Sequence, residues 1–434
     1  MQLVILAGGK GTRLGLTDIP KPMCPVLNKP VLEYQIELAK KYGIKEIFLL
    51  TGYLANVIKD YFGDGSKWGI KIHHIIEDTP LGTAGGLHLL KGKLKDKFMV
   101  FYGDIIMDFD LNSFIEFDQK NKSIATILVH PNNHPYDSDL VEINNENKVI
   151  GFLSKPHSEN LVYKNLVNAA IYIFSPEILN FIEKGISQDF GKDIFPKILN
   201  TDNNIYAYHS AEYIKDMGTP DRLIQISNDI KNNKLSLLNK KNKRPAIFMD
   251  RDGVICQDMD TNPIADNFRL LPKVTDAIKL INDSNFLTII VTNQPMIAKG
   301  FVTFKDVEQT NKTMETQLGN EHCFLDGIYF CPHYPDKGFE GEITELKIDC
   351  NCRKPKPGML IKASDDFNID LTNSWMIGDR EADLQAGKNA GCKTILVGDT
   401  INNSSFADYQ FKNLIEAVNF ILKQNDNNQN SIQN

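Results

Sequence analysis

The chain has 434 residues, of which 42% are hydrophobic and 24% charged, with a formal net charge of −7. That length exceeds one ordinary domain and implies two or three, and the composition is that of a globular protein. The acidic balance excludes a general attraction for nucleic acid or an anionic membrane, and no apolar run approaches a membrane span.

In chain order, residues 3–8 (LVILAG) form a short apolar run that ends in glycines. Met1 to Leu6 has no basic start or cleavage site, so it reads as a buried strand and not a signal peptide. Residues 30–43 have helical spacing and stop at Gly43, residues 45–53 read as the next strand, and residues 54–62 as the next helix. Strand–helix alternation of this kind predicts an α/β fold with a largely parallel sheet covered by helices. Residues 231–245 (KNNKLSLLNKKNKRP) are polar and basic, and read as a linker between a domain over 1–230 and one over 246–423. Alternation then resumes, with buried strands within 246–253, 285–294 and 374–381, each leading into a polar loop. The final residues 424–434 (QNDNNQNSIQN) are low in complexity and are expected to be a disordered tail. Seven cysteines are present, three of them between 331 and 352, which fits a reducing compartment, the cytoplasm, with a metal site.

Both halves begin with a strand that delivers a polar loop, the place where open parallel sheets carry chemistry. In the first half, residues 6–14 (LAGGKGTRL) place three glycines, Lys10 and Arg13 after a strand. Glycines let backbone N–H groups approach a phosphate, although such a loop taken alone is equally a tight turn. The spacing is neither that of a dinucleotide fingerprint nor that of a P-loop. Lys21 in KPM adds a second cation, and residues 80–86 (PLGTAGG) form a small-residue loop on which a flat base could lie. Asp104 in YGD and Asp216 in KDMGTP offer hard oxygen ligands for a divalent ion.

This ordered set resembles the sugar-1-phosphate nucleotidyltransferases over about residues 1–228. Within that family the likeness of residues 51–65, 80–86 and 190–196 points to enzymes that make GDP-sugars, the D-glycero-D-manno-heptose 1-phosphate guanylyltransferases and their mannose-1-phosphate relatives. The resemblance implies that Gly8, Gly9 and Gly11 line the nucleotide, that Arg13 and Lys21 hold triphosphate oxygens, and that Gly82 and Thr83 lie near the base. It further implies Mg²⁺ on Asp104 and Asp216, Lys155 on the sugar phosphate, and Asn168 and Asp193 on the sugar side. Two departures fall on that side: Ser154 stands where the family often has Glu, and residues 134–142 read HPYDSDLVE where it often has Tyr-Gly before the strand.

In the second half, FMDRDGVI (248–255) places two aspartates two apart at a strand end. Asp250 suits an ionised nucleophile, and Asp252 suits a general acid and then base acting on the leaving group. With VTNQ (291–294), RKPKPG (353–358) and IGDREAD (377–383) following in order, this resembles the haloacid dehalogenase superfamily over about residues 245–400. By that likeness Thr292 and Lys354 hold the transferring phosphoryl group, and Asn293 and Arg353 face the substrate. Asp379 completes a Mg²⁺ site with Asp250 and the backbone of Asp252, and Asp383 supports it. CPH (331–333) and CNC (350–352) give Cys331, His333, Cys350 and Cys352, a closed Cys₃His set suited to structural Zn²⁺. A zinc loop just before CRKPKPGM is similar to the D-glycero-D-manno-heptose 1,7-bisphosphate phosphatases and the related histidinol phosphatases. About 40 residues separate the first two motifs, too few for a large cap domain there. Pro295, Met296 and Lys299 depart from the family's usual loop.

The two resemblances imply two three-layer Rossmann-like domains that converge on one pathway, nucleotide-heptose synthesis for a surface glycan. Its partners are a nucleoside triphosphate, with GTP favoured by PLGTAGG, and a phosphorylated heptose; neither nucleic acid nor membrane is expected. Two alternatives stay open from sequence. One is a mannose-1-phosphate guanylyltransferase fused to a histidinol-phosphatase-like enzyme. The other is a sugar-nucleotide sensor with one inactive half. Oligomeric state, homo-oligomer or otherwise, is not encoded in any motif.

Overall fold

The computed structural model describes residues 1–11, 14–15, 17–258, 265–398 and 404–432. They divide into two compact units, the first made of Met1–His130, Ser138–Pro156 and Leu166–Asn239, the second of Pro131–Asp137, His157–Asn165 and Lys240–Asn434.

The first unit is built on a nine-stranded sheet. Its path runs Val149–Leu153, Leu140–Ile143, Val167–Phe174, Phe98–Tyr102, Gln2–Ala7, Glu46–Thr51 and Lys71–Ile76, with Ala125–His130 and Ile205–His209 branching from Val167–Phe174. The four strands from Phe98–Tyr102 to Lys71–Ile76 are mutually parallel. Gln2–Ala7 lies at their centre and is buried along most of its length, which its near-continuous apolar run requires. Helices Val31–Lys41 and Ala55–Phe62 present Leu32, Ile36 and Ile58 to one face. A second apolar cluster that includes Leu87, Phe190 and Phe195 covers the other, so the unit is three-layered.

The second unit has a six-stranded sheet in the order Gly327–Cys331, Leu287–Asn293, Ala246–Met249, Trp375–Gly378, Lys393–Val397, Tyr409–Phe411, with every neighbouring pair parallel. The first strand in sequence, Ala246–Met249, is central, with its successors on one side and the later strands on the other. The order therefore reverses beside it, and ligands of open α/β sheets sit at such a switch point. The motif carboxylates and Thr292 lie at the carboxyl ends of these strands.

Two expectations are corrected. The stretch 231–245 is not a free spacer. Helix Pro220–Lys231 is followed by a short helix, Lys234–Leu237, and Leu238 is buried against Cys24, Val26 and Tyr213. Asn239 Nδ2 donates to Asp108 Oδ1 at 2.8 Å, and Arg244 Nε donates to Asn285 O at 2.9 Å. Leu235 and Leu238, three residues apart, pack on that cluster, while Leu237 between them is exposed. Among the described residues the tail is helical as far as Ile432, the end of helix Leu414–Ile432. Leu414, Ala417, Val418 and Ile421 anchor one face of this helix in the core, and a helix once nucleated propagates at small cost. Two stretches of the first half, Pro131–Asp137 and His157–Asn165, also group with the second unit. Within it Tyr163 N donates to Thr316 Oγ1 at 2.9 Å, a grouping that no motif announced.

Candidate functional sites

In the first unit, the carboxyl ends of the parallel strands open on a cleft of about 480 Å³ lined by Gly8, Gly9, Lys21, Gly82, Thr83 and Asp104, among others. Six of the sequence-derived candidates thus meet in one place. Gly11 adopts φ 72° and turns the loop, while Lys21 N donates to Gly9 O at 3.1 Å and ties the second cation to the glycine loop. Arg13 lies outside the described residues.

Asp104 and Asp216 come together through the backbone. Strand Tyr213–Asp216 pairs antiparallel with Ile105–Asp108, setting Asp216 opposite Ile105. Met217 N then donates to Asp104 O at 3.1 Å. Asp104 is ion-paired with Lys21, and Asp216 receives Arg222 Nη1 on both oxygens at 2.7 Å. Two carboxylates at adjoining positions, each beside a cation, have the donor chemistry of a divalent-ion site.

The sugar-side candidates are placed differently. Asn168 N donates to Asp139 O at 2.9 Å, and Lys155 N to Asp139 Oδ1 at 3.0 Å. Asp139, which sequence reasoning passed over, therefore joins the two. Asp193 is turned back onto the chain, accepting from Asp189 N at 2.6 Å. The carboxylate that reaches the cleft loop is Asp189, which accepts from Thr83 Oγ1 at 2.7 Å, while Phe190 N donates to that same hydroxyl at 3.0 Å. Asp189 stands four residues before the Asp193 that the motif singled out. A capping Asp before a helical turn was the signal available.

The glycines of PLGTAGG have causes beyond a flat base. Gly82 has φ +75°, and a Cβ there would stand 2.4 Å from Gln188 O, so the loop needs glycine to pack on its neighbour. A Cβ on Gly86 would stand 1.8 Å from Glu77 Oε1. Glu77 was missed in the sequence. Its carboxylate lines the cleft beside Gly8, and burial pushes its pKa up.

In the second unit, Asp250 follows the central strand, its N–H donating to Ile377 O at 3.0 Å. Lys354 is fully buried, with Nζ 2.9 Å from Asp250 Oδ1, 2.5 Å from Asp383 Oδ1 and 2.8 Å from Val291 O. Burial alone would lower its pKa, but Asp250 and Asp383 raise it overall, so it stays an ammonium. Asp250, Asp379 and Asp383 have carboxylate oxygens within 4.8 Å of one another. Burial first, then the charges of Asp250 and Asp383, push Asp379 up to about 7. Burial and Asp250 push Asp383 up to about 6. Asp379 Oδ1 is buried without a hydrogen-bond partner among the described residues. Three crowded carboxylates, one lysine and an orphaned oxygen fit a divalent cation. Gly253, at φ +84°, is required here because a Cβ would stand 2.3 Å from Asp379 Oδ2.

Thr292 Oγ1 lies 3.4 Å from Asp252 Oδ2 and accepts from Gln294 Nε2 at 3.0 Å. Asn293 is committed elsewhere than to substrate: its Nδ2 donates to Lys354 O at 3.1 Å and its Oδ1 accepts from Lys354 N at 3.0 Å. It pins the backbone that carries the lysine.

Cys331, His333, Cys350 and Cys352 form a second cluster. Their Sγ–Sγ separations are 3.5, 3.2 and 3.1 Å, and His333 Nδ1 is 3.3 Å from Cys352 Sγ. Tetrahedral zinc with bonds of about 2.3 Å to sulfur needs sulfurs about 3.8 Å apart, a small expansion of what is seen. The Cys331 hydrogen bond is the main cause that lowers Cys352, to about 5, and the same contact raises Cys331. The residues fit a closed structural zinc site, as the motif spacing suggested.

The loop this cluster closes carries Tyr334 and Phe339, whose rings gather a group of cations. Lys299 lies 4.4 Å from the Tyr334 ring centre and 5.0 Å from that of Phe339. Lys347 lies 5.1 and 4.6 Å from the same rings, and Arg353 lies 4.9 Å from Tyr334. Glu342 offsets Lys347 at 3.3 Å. Arg353 Nη1 donates to His333 O at 3.3 Å, so the backbone of the Cys₃His cluster orients it.

No helix among the described residues is long and apolar enough to cross a membrane. The nucleotidyl transferase family model matches residues 2–233, and the HAD-hydrolase-like model matches residues 351–413. The mannose-1-phosphate guanylyltransferase of Mycobacterium tuberculosis is 34% identical over 231 residues, 52% of this chain and 64% of that protein. The UTP–glucose-1-phosphate uridylyltransferase of Synechocystis is 34% identical over 238 residues, 51% of this chain and 61% of that protein. The chain thus spans less than two thirds of the length of either. The D-glycero-beta-D-manno-heptose-1,7-bisphosphate 7-phosphatase of Escherichia coli K12 is 38% identical over 185 residues, 42% of this chain and 95% of that protein.

Proposed function

The chain belongs to the nucleotidyl transferase family through residues 2–233 and to the family of the heptose bisphosphate 7-phosphatases through its C-terminal part, and on that premise we propose that it is a bifunctional enzyme of nucleotide-heptose synthesis. The second unit hydrolyses the 7-phosphate of D-glycero-D-manno-heptose 1,7-bisphosphate. The first transfers GMP from GTP to the resulting heptose 1-phosphate and releases pyrophosphate.

The observation that carries the bisphosphate reading is the cluster of Lys299, Lys347 and Arg353. Even with Glu342 offsetting one charge, it favours a substrate that brings a second phosphate and repels one that brings an ammonium, as histidinol phosphate does. The choice of base rests on Glu77. The two nucleotidyltransferase relatives, one named for a guanylyl and one for a uridylyl donor, are equally identical to this chain, so likeness does not decide it. A buried carboxylate can only accept. Guanine alone offers two adjacent donors, N1–H and the N2 amino group. Uracil flanks its single N–H with two carbonyls, and adenine sets an acceptor beside its amine.

In the first unit Lys21 and the N–H groups of the glycine loop neutralise and orient the triphosphate, so that a sugar-phosphate oxygen attacks the α-phosphorus in line and pyrophosphate leaves. In the second, the Asp250 carboxylate attacks the 7-phosphorus, Lys354 neutralises phosphoryl oxygens, and Asp252 passes a proton to the departing sugar hydroxyl. Asp104 with Asp216, and Asp250 with Asp379, are the residues that would hold Mg²⁺, which supplies neutralisation of phosphate charge.

The test is a one-pot incubation of bisphosphate, GTP and Mg²⁺ followed by mass spectrometry, with UTP and ATP in parallel and Glu77→Gln as comparison. GDP-heptose should form from the wild type. Glu77→Gln should lose about 10- to 100-fold in kcat/KM for GTP, the worth of a charge-assisted pair, and gain relative use of UTP. A wild type that ignores the bisphosphate but consumes mannose 1-phosphate or histidinol phosphate refutes the heptose reading.

A further inference from the structure

Between the two aspartates of the phosphatase motif stands Arg251, a residue type rarely buried, with 1% of its surface exposed. Its side chain turns onto its neighbour. Nε lies 3.3 Å from Asp252 Oδ1, and Nη2 lies 3.2 and 3.0 Å from the two carboxylate oxygens. Nη1 donates to Asn311 Oδ1 at 3.2 Å, which fixes the far edge of the guanidinium. Gln294 Nε2 donates to Asp252 Oδ2 at 2.9 Å. The carboxylate is thus held in plane by a rigid fork on one side and by an amide on the other. The nucleophile's own lysine, Lys354, is spent on Asp250 and Asp383.

Charge balance alone could place an arginine here, but it would not require a forked grip on one carboxylate or a second donor from Gln294. We propose that Arg251, with Gln294, is a positioning residue for proton transfer: it fixes the plane and reach of Asp252 without touching substrate. The inference rests on the roles given above to Asp250 and Asp252. In the first step a new Asp250 O–P bond forms, the ester P–O bond breaks, and the sugar oxygen takes the Asp252 proton. In the second, Asp252 removes a proton from water, the water oxygen bonds to phosphorus, and the Asp250 O–P bond breaks to release phosphate. An alkoxide leaving group needs the proton of the first step. A nitrophenolate does not.

The experiment compares heptose 1,7-bisphosphate with p-nitrophenyl phosphate in the full-length protein, using Arg251→Lys, which keeps the charge but not the fork, and Gln294→Met. For both variants kcat/KM on the sugar ester should fall about 100-fold, the lower end of what general acid catalysis contributes, and at least tenfold more than on the aryl ester. With the aryl ester both should show a burst of nitrophenolate, because the second step still needs Asp252 as base. Equal losses on both esters without a burst would assign Arg251 a purely structural role and overturn the inference. Should Arg251→Lys not fold, Gln294→Met carries the comparison alone. A wild type inert toward both esters would instead overturn the phosphatase assignment on which the inference stands.

Discussion

Replacing Cys350 and Cys352 together by serine should release the zinc and loosen the phosphatase mouth while sparing nucleotidyl transfer. The cluster joins residues 331–333 to 350–352 and so closes a 16-residue loop, 334–349. Opening such a loop returns about 2.5 kcal/mol of chain entropy, from (3/2)RT ln n, to the unfolded and half-folded states. For a unit of this size that corresponds to a fall of about 5–10 °C in the midpoint of its unfolding transition, before any loss of metal-binding free energy. Arg353 and Lys354 follow Cys352 directly, and the loop carries Tyr334, Phe339 and Lys347. Phosphatase activity should therefore fall about 10- to 100-fold, as when the support of a site is removed, chiefly through KM for the bisphosphate. Elemental analysis should find one zinc per wild-type chain and none in the double variant, with calorimetry reading the transition. Wild-type protein without zinc, or a double variant that keeps zinc and its unfolding midpoint, would refute the assignment.

Asp250→Asn should abolish phosphate release and leave transfer to heptose 1-phosphate intact, whereas Asp104→Asn should do the reverse; loss of both activities from either change in folded protein would defeat the two-site description. Gly86→Ala would place a methyl on the Glu77 carboxylate, so kcat/KM for GTP should drop by at least the Glu77→Gln loss, and an unchanged value would remove Glu77 from the base site. Burial pushes Asp326 up to about 6, against 3.8 for the free group. A raised folded pKa gives stability that is whole below about pH 4 and lost as pH rises through about 6, on the order of 2–3 kcal/mol in all. Asp326→Asn, which still accepts from Thr288 N, should flatten that dependence between pH 4 and 8. Thermal unfolding that keeps the same slope in the variant would assign the pH dependence to other groups.

What the sequence made legible followed from how local each cause was. Asp250 and Asp379 directly follow strands Ala246–Met249 and Trp375–Gly378, where buried apolar runs fix the position of the next polar residue, and Lys354 was legible from its place in RKPKPG. The Cys₃His cluster was legible because two tight pairs need no knowledge of the loop between them. Glu77, Asp139, Asp189 and Arg251 were not, because their roles depend on which backbone comes alongside. Glu77 matters through Gly86, Asp189 through Thr83, and Arg251 through the direction its side chain takes. Asp193 and Asn293 were named on the strength of motif position, and the backbone groups of Asp189 and Lys354 that they hold could not be read from it. The stretch 231–245 was read as a linker for the same reason: two leucines three residues apart are too few to reveal a periodicity among its polar and basic residues.

The hydroxyl of Thr83 donates to the Asp189 carboxylate and accepts from the Phe190 amide, and this has a kinetic consequence. The loop that lines the nucleotide cleft and the turn that begins at Phe190 are fastened by this hydroxyl and by the backbone bonds of Gln188 with Leu81 and Ala84, so neither can shift without the other. Filling the nucleotide cleft therefore sets the shape in which the acceptor is received, and the two substrates should be bound in a compulsory order with nucleotide first. Directed evolution toward a new acceptor sugar would then have to select changes on both sides of that fastening at once.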